Sequence, residues 1–142
     1  MNLPAPTAVP VLLAAGGAPW EAGAVERLER RGSGTALRRR CVDLPDLLAA
    51  ARTGLGRVAV VAERLPGLDA DAVAVLRGSG VQVVAVLDRV GDGPAEERLL
   101  RLGVLRCLGA DLDGLEEVVR TAAEGPPTPD GDGLAPGDTG EE

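Results

Sequence analysis

Five short apolar runs alternate along the chain with segments whose apolar residues recur every three or four positions. Val9 to Ala14 is continuously apolar and predicts a first strand buried on both faces. Pro19 suits the first turn of a helix, and Trp20, Ala24, Val25 and Leu28 share one face of it. Gly32 and Gly34 close that helix, and Thr35 to Val42 predicts a second strand interrupted by Arg38, Arg39 and Arg40. Asp43 is placed to cap a short helix that turns Leu47, Leu48 and Ala51 inward and ends near Gly54. Arg57 to Ala62 predicts the third strand. Asp69 caps the next helix, with Ala72, Val73 and Leu76 inward and Gly78 as its stop. Val81 to Leu87 predicts the fourth and most hydrophobic strand, and Gly93-Pro94 opens a helix that carries Leu99 and Leu102 and ends at Gly103. Val104 to Leu108 predicts the fifth strand. Asp113 with Glu116 resembles a capping box, followed by a stripe of Leu115, Val118, Val119 and Ala122.

Strands alternating with helices predict an α/β domain with a parallel sheet, right-handed crossovers and helices on both faces. Five such units point to a flavodoxin-like, doubly wound sheet of order 2-1-3-4-5 over residues 1–124. Strands two and five are then opposite edges, which sets Cys41 and Cys107 too far apart to pair. From Gly125 the pattern stops. Nine of the residues 125–142 are Gly or Pro and five are acidic, so this stretch predicts a disordered acidic linker or tail.

Composition narrows the chemistry. The 142 residues include no His, Lys, Tyr or Phe, and all 15 basic residues are Arg. Without His neither a Ser-His-Asp nor a Cys-His pair can be built, and without Lys there is neither a Schiff base nor a P-loop lysine. The net charge is −7, but the acidic end holds five of the acids and leaves 15 basic against 17 acidic residues elsewhere. A nearly neutral domain with a single aromatic residue lacks the field and the stacking surface of a nucleic-acid binder. No apolar run is long enough to span a bilayer, and no basic residue precedes the first one, so membrane insertion is not expected and a cytoplasmic location is.

In a doubly wound sheet, chemistry belongs at the carboxyl ends of the strands, near the switch between strands one and three. There the stretch VAVVAERLPGLDA, Val58 to Ala70, resembles the third strand and following loop of response-regulator receiver domains. Leu65, Pro66, Gly67, Leu68 and Asp69 match that family's turn. The resemblance assigns the phosphoacceptor Asp to Ala62, and the acidic pair that holds Mg²⁺ to Ala14, Ala15 and the glycines beyond them. It assigns the Ser/Thr closing strand four to about Leu87 and the Lys after strand five to about Ala110. A methyl group supplies no oxygen to a hard cation. Glu63 and Asp88 are the only nearby acids, and Glu63 is expected on the other face of its strand from Ala62.

A narrower resemblance spans nearly the whole chain. VPVLLAAGGAPWEA, RRRCVDLPDLLAAA, ERLPGLDADAV and VVAVLDRVGD followed by ERLLRLGV are similar to the N-terminal atypical receiver domain of actinobacterial CpaE/TadZ-like proteins, a group that includes septum-site-determining proteins. In that family the domain precedes a linker and a MinD/ParA-type ATPase, and no G-x-x-x-x-G-K-[ST] is present in these residues. The resemblance implies a non-catalytic pseudo-receiver without cofactor, acting in pilus assembly or septum placement by homodimerisation or by docking a protein partner. It puts the contact surface on helix four, strand five and helix five, with Arg98, Leu99, Arg101, Leu102 and Glu117 as candidates.

Other features admit two readings each. Gly16-Gly17 is either a tight turn or a phosphate cradle for a nucleotide or flavin, and the small-molecule alternative for the whole domain rests on that crevice. Trp20 either packs helix one or anchors a partner. Arg38, Arg39 and Arg40, with Arg30 and Arg31, either protect an edge strand or form a docking patch.

Overall fold

A strand whose every side chain is apolar is stable only where both of its faces are covered, so such runs take the interior of the sheet. The computed structural model describes residues 8–124. Its strands are β1 (Val9–Ala14), β2 (Thr35–Arg40), β3 (Val58–Ala62), β4 (Gln82–Leu87) and β5 (Arg106–Gly109). All pair in parallel in the order β2-β1-β3-β4-β5, the predicted flavodoxin-like order. All five residues of β3 are buried, whereas Arg38, Arg39 and Arg40 occupy the exposed end of the edge strand β2.

Helices α1 (Glu21–Glu29) and α5 (Leu115–Glu124) cover one face. Helices α2 (Leu44–Arg52), α3 (Ala70–Gly78) and α4 (Gly93–Leu102) cover the other. Alternation along the strands divides the core accordingly: Val58, Val60 and Ala62 face α1 and α5, while Ala59 and Val61 face α2, α3 and α4. The caps follow local chemistry. The Asp43 carboxylate accepts from the Asp46 amide at 2.9 Å, and Asp69 accepts from Ala72 at 2.8 Å. Asp92 does the same for α4, accepting from Ala95 at 3.1 Å. Gly103 ends α4 at φ 106, a left-handed conformation that a Cβ would oppose.

Boundaries at β2, β5 and α5 differ from expectation, and each difference has a physical reason. β2 stops at Arg40, because Val42 turns outward and donates its amide to Asp46 at the entry to α2. α3 ends at Gly78 as expected, and the chain turns at Gly80. β5 starts at Arg106, since Val104 is still buried at the exit from α4 and Leu105 makes a single bond to the Val83 carbonyl at 2.8 Å. The capping box at α5 does not form. The Asp113 amide is taken by Asp111, and Glu116 reaches across to Arg27 of α1 at 3.4 Å. The same loop holds Leu112 at φ 60, a conformation costing roughly 1–2 kcal/mol outside glycine, with its side chain buried in the α1/α5 core. Residues 125–142, read above as a linker or tail, lie outside the described residues.

Leu12 is fully buried beneath Gly56, where an added Cβ would stand 2.6 Å from its Cγ. Leu12→Ala is expected to lower stability by about 2–5 kcal/mol and Gly56→Ala by about 1–3 kcal/mol. The double variant should lose less than their sum, because the new methyl enters the space the leucine leaves. Urea denaturation of the four chains measures this, and strict additivity would refute the contact.

Candidate functional site

The carboxyl end of the sheet is built from the loops after β1, β3, β4 and β5. After β1, Ala15 and Ala18 are joined by a bond of 3.1 Å across Gly16 and Gly17, at φ 61 and φ 80. Two successive positive φ values define a tight I′-like turn, which glycine adopts without strain. Trp20 follows as a buried side chain in the α1/α5 core, the packing reading of that residue. Its indole Nε1 has no hydrogen-bond partner among the described residues.

The positions that the receiver resemblance assigns to chemistry hold apolar groups with structural partners. Ala14 and Leu87 are buried against α2, α3 and α4, and Ala15 and Ala62 against α1 and α5. Ala110 is half-buried beside the same core and, with Pro19, Trp20 and Asp88, lines a crevice of about 500 Å³. A second crevice of about 590 Å³ lies between Gly16-Gly17, Arg40 to Asp43 and Leu65-Pro66.

The nearby carboxylates are all engaged. Glu63, only 7% exposed, accepts from the Asp88 amide at 2.9 Å with Oε1, and its Oε2 is 3.5 Å from the Arg98 guanidinium of α4. Asp88 is paired with Arg64 at 3.1 Å, and Glu21 with Arg40 at 2.9 Å. Among the described residues, no three His, Cys, Asp or Glu side chains converge as metal ligands. A receiver-type Mg²⁺ therefore does not fit the residues present, since the β1 end offers methyl groups and the acids are held elsewhere.

The candidate contact residues separate into surface and core. Arg98 and Arg101 lie on the exposed side of α4, with Arg101 3.7 Å from Glu97. Glu117 is exposed on α5. Leu102 is partly buried against the core. Leu99 is a correction: it is fully buried beneath α4 and is not available to a partner. The apolar side chains exposed there are Leu100 at 44% and Val90 at 66%, and neither stood out in a helical stripe that ran through Leu99. Two of the three arginines of β2 are paired within the chain, Arg39 with Asp46 at 2.7 Å and Arg40 with Glu21, and all three lie on the edge strand. The Val42 amide and the Arg39 guanidinium hold the Asp46 carboxyl below the usual carboxylate range.

The architecture is that of receiver domains. Similar solved structures include the signal receiver domain of the response regulator NarL from Mycobacterium tuberculosis, at TM-score 0.72 and 21% identity, covering 85% of this chain and 100% of that one. The response regulator domain of Thermotoga maritima CheB matches at TM-score 0.69 and 16% identity, over 84% of this chain and 99% of that one. A pilus assembly-related protein from Burkholderia pseudomallei matches at TM-score 0.66 and 18% identity, over 87% and 96%. No protein-family model and no curated protein matches the chain. Identities of this size establish the fold, and the fold is the flavodoxin-like receiver fold. Among the described residues no helix is long and apolar enough to cross a membrane.

Cys41, at the end of β2, and Cys107, in β5, are free thiols at opposite edges of the sheet. Burial, reinforced by Asp46 at Cys41 and by Glu96 and Glu63 at Cys107, raises both from 9.0 to about 11. At pH 8 the thiolate fraction is then roughly 100-fold below that of an unperturbed thiol, and alkylation by iodoacetamide should be slower in proportion than in urea. The raised values favour the folded state below pH 9, and this contribution is lost as pH rises from about 9 to about 11. Rapid labelling at pH 8 in the folded chain would contradict this environment.

Proposed function

We propose that this domain is a non-catalytic pseudo-receiver that works as a dimerisation or docking module of a positioning ATPase. Its setting would be the cytoplasm, in Flp/Tad pilus assembly or septum-site determination. The reading is carried by one observation: the scaffold is intact while the acceptor position is Ala62, a methyl buried in the α1/α5 core. No carboxylate stands free beside it, because Glu63 and Asp88 are committed to the Asp88 amide, Arg98 and Arg64. The similarity to a pilus assembly-related protein supports the setting, and the CpaE/TadZ resemblance supplies the expected MinD/ParA-type ATPase in cis. The partner-facing residues are Arg98, Leu100 and Arg101 of α4 with Glu117 of α5. Exposed apolar groups flanked by arginine suit the centre of an interface.

A second reading, a small-molecule binder, is favoured by the crevice of about 500 Å³ lined by Pro19, Trp20, Asp88 and Ala110. Against it stand the absence of any other aromatic ring and the lack of convergent polar groups. Thermal shift with nucleotides and FMN separates the two readings, since a binder should be stabilised by one ligand and an interaction module by none.

Incubation with acetyl phosphate and Mg²⁺ is expected to leave the mass and the thermal midpoint of the chain unchanged. Sedimentation should show a dimer that forms with rising concentration and is shifted toward monomer by Leu100→Glu and Arg101→Glu. Stoichiometric phosphorylation would overturn the non-catalytic reading. A monomer at every concentration would leave docking of a different protein as the surviving form of it.

A further inference from the structure

Three contacts converge on the loop between β4 and α4. Glu63, the residue after β3, turns to the opposite face from Ala62 and accepts the Asp88 amide at 2.9 Å, while its other oxygen faces Arg98 in the middle of α4. Arg64, next in the chain, takes the Asp88 carboxylate at 3.1 Å, so two consecutive residues grip one residue of the loop from both its backbone and its side chain. Two positions further, Val90 lies over the end of β5, where a Cβ on Gly109 would come within 2.7 Å of its Cγ2. Glu63 is the most telling of these groups. A carboxylate that is 7% exposed is held only where its oxygens are partnered, and both of its partners lie on the segment Asp88 to Arg98.

We infer that Glu63, with Asp88 and Arg98, is a clasp that fixes the β4–α4 loop and α4 in a single arrangement. The surface formed by Val90, Arg98, Leu100 and Arg101 is thereby presented permanently, with no switching event at the carboxyl end of the sheet. The inference rests on the reading of α4 as an interaction surface. Its mechanical half, the clasp itself, stands or falls separately.

The test is amide hydrogen exchange by NMR on the full chain, together with sedimentation, for wild type, Glu63→Ala and Glu63→Gln. Glu63→Ala should speed exchange of the Asp88 amide roughly tenfold or more, leaving Val60 and Val84 in the sheet centre within about threefold. Glu63→Gln keeps an acceptor for that amide and should fall between the two. Should Glu63→Ala fail to fold, Gly109→Ala loosens the same loop from its β5 side and should show the same localised exchange. An unchanged Asp88 amide, or equal acceleration of Val60 and Val84, would overturn the clasp. Localised exchange with weaker self-association supports the whole inference. Localised exchange with unaltered self-association keeps the clasp and overturns its role in presenting the surface. A wild type that is monomeric throughout removes self-association as the reading of α4, while the exchange result still decides the clasp.

Discussion

The middle strand β3 has no solvent-facing side, and the rest of the domain is arranged around that constraint. Its backbone is paired along both edges, to β1 and to β4, and its side chains alternate between two separate cores. Such a strand tolerates only apolar residues along its length, because an unpartnered charge in either core costs several kcal/mol. Val58 to Ala62 obeys this rule at every position, including the last. The first place where the chain can carry a charge is the residue after the strand, and there the face is already decided. With a period of two, moving one residue along a strand moves the side chain to the other side of the sheet.

That parity separates two ways of reading the acid beside the acceptor position. A carboxylate at position 62 would face α1 and α5, beneath the turn at Gly16-Gly17. The carboxylate at Glu63 faces α4 instead, and its two oxygens are engaged by a backbone amide and a guanidinium. It therefore does not imitate a charged acceptor. It is a buried structural group that ties the end of β3 to the β4–α4 loop and to α4. Two adjacent residues of one strand end, Ala62 and Glu63, thus have opposite roles, one closing a core and the other organising a surface.

Much of this was legible in the residues because it is local. The cap carboxylates Asp43 and Asp69, the paired glycines at 16 and 17 and the left-handed Gly103 act on their own neighbours, so composition and spacing suffice to place them. The strand order followed from alternation and the handedness of crossovers. What could not be read depends on partners distant in the chain. Glu116 looks like a capping residue until Arg27, 89 positions away, draws it across to α1. Leu99 and Leu100 are equally apolar, and only the position of α4 against α3 and β4 makes the first core and the second surface. Glu63 carries no local sign of burial at all. Its neighbour Arg64 is exposed, and Arg98 lies in another helix.

The same physics weighs the two proposed uses of the scaffold against each other. A crevice holds a small ligand through a few polar groups that converge on it with nothing else to bind. Here the crevice is lined by Pro19, Trp20, Asp88 and Ala110, and its one carboxylate, Asp88, is already paired with Arg64. A protein interface has a different requirement: an apolar centre that water leaves readily, with cations able to pair at close range and a backbone that does not move when they do. The face of α4 offers Val90 and Leu100 beside Arg98 and Arg101 on a helix anchored by a buried carboxylate. Preorganisation lowers the entropy cost of docking without adding a contact, so a rigid α4 favours association even where the area buried is modest. On the docking reading, the buried Glu63, one residue past the methyl of Ala62, is what prepares the surface for a partner.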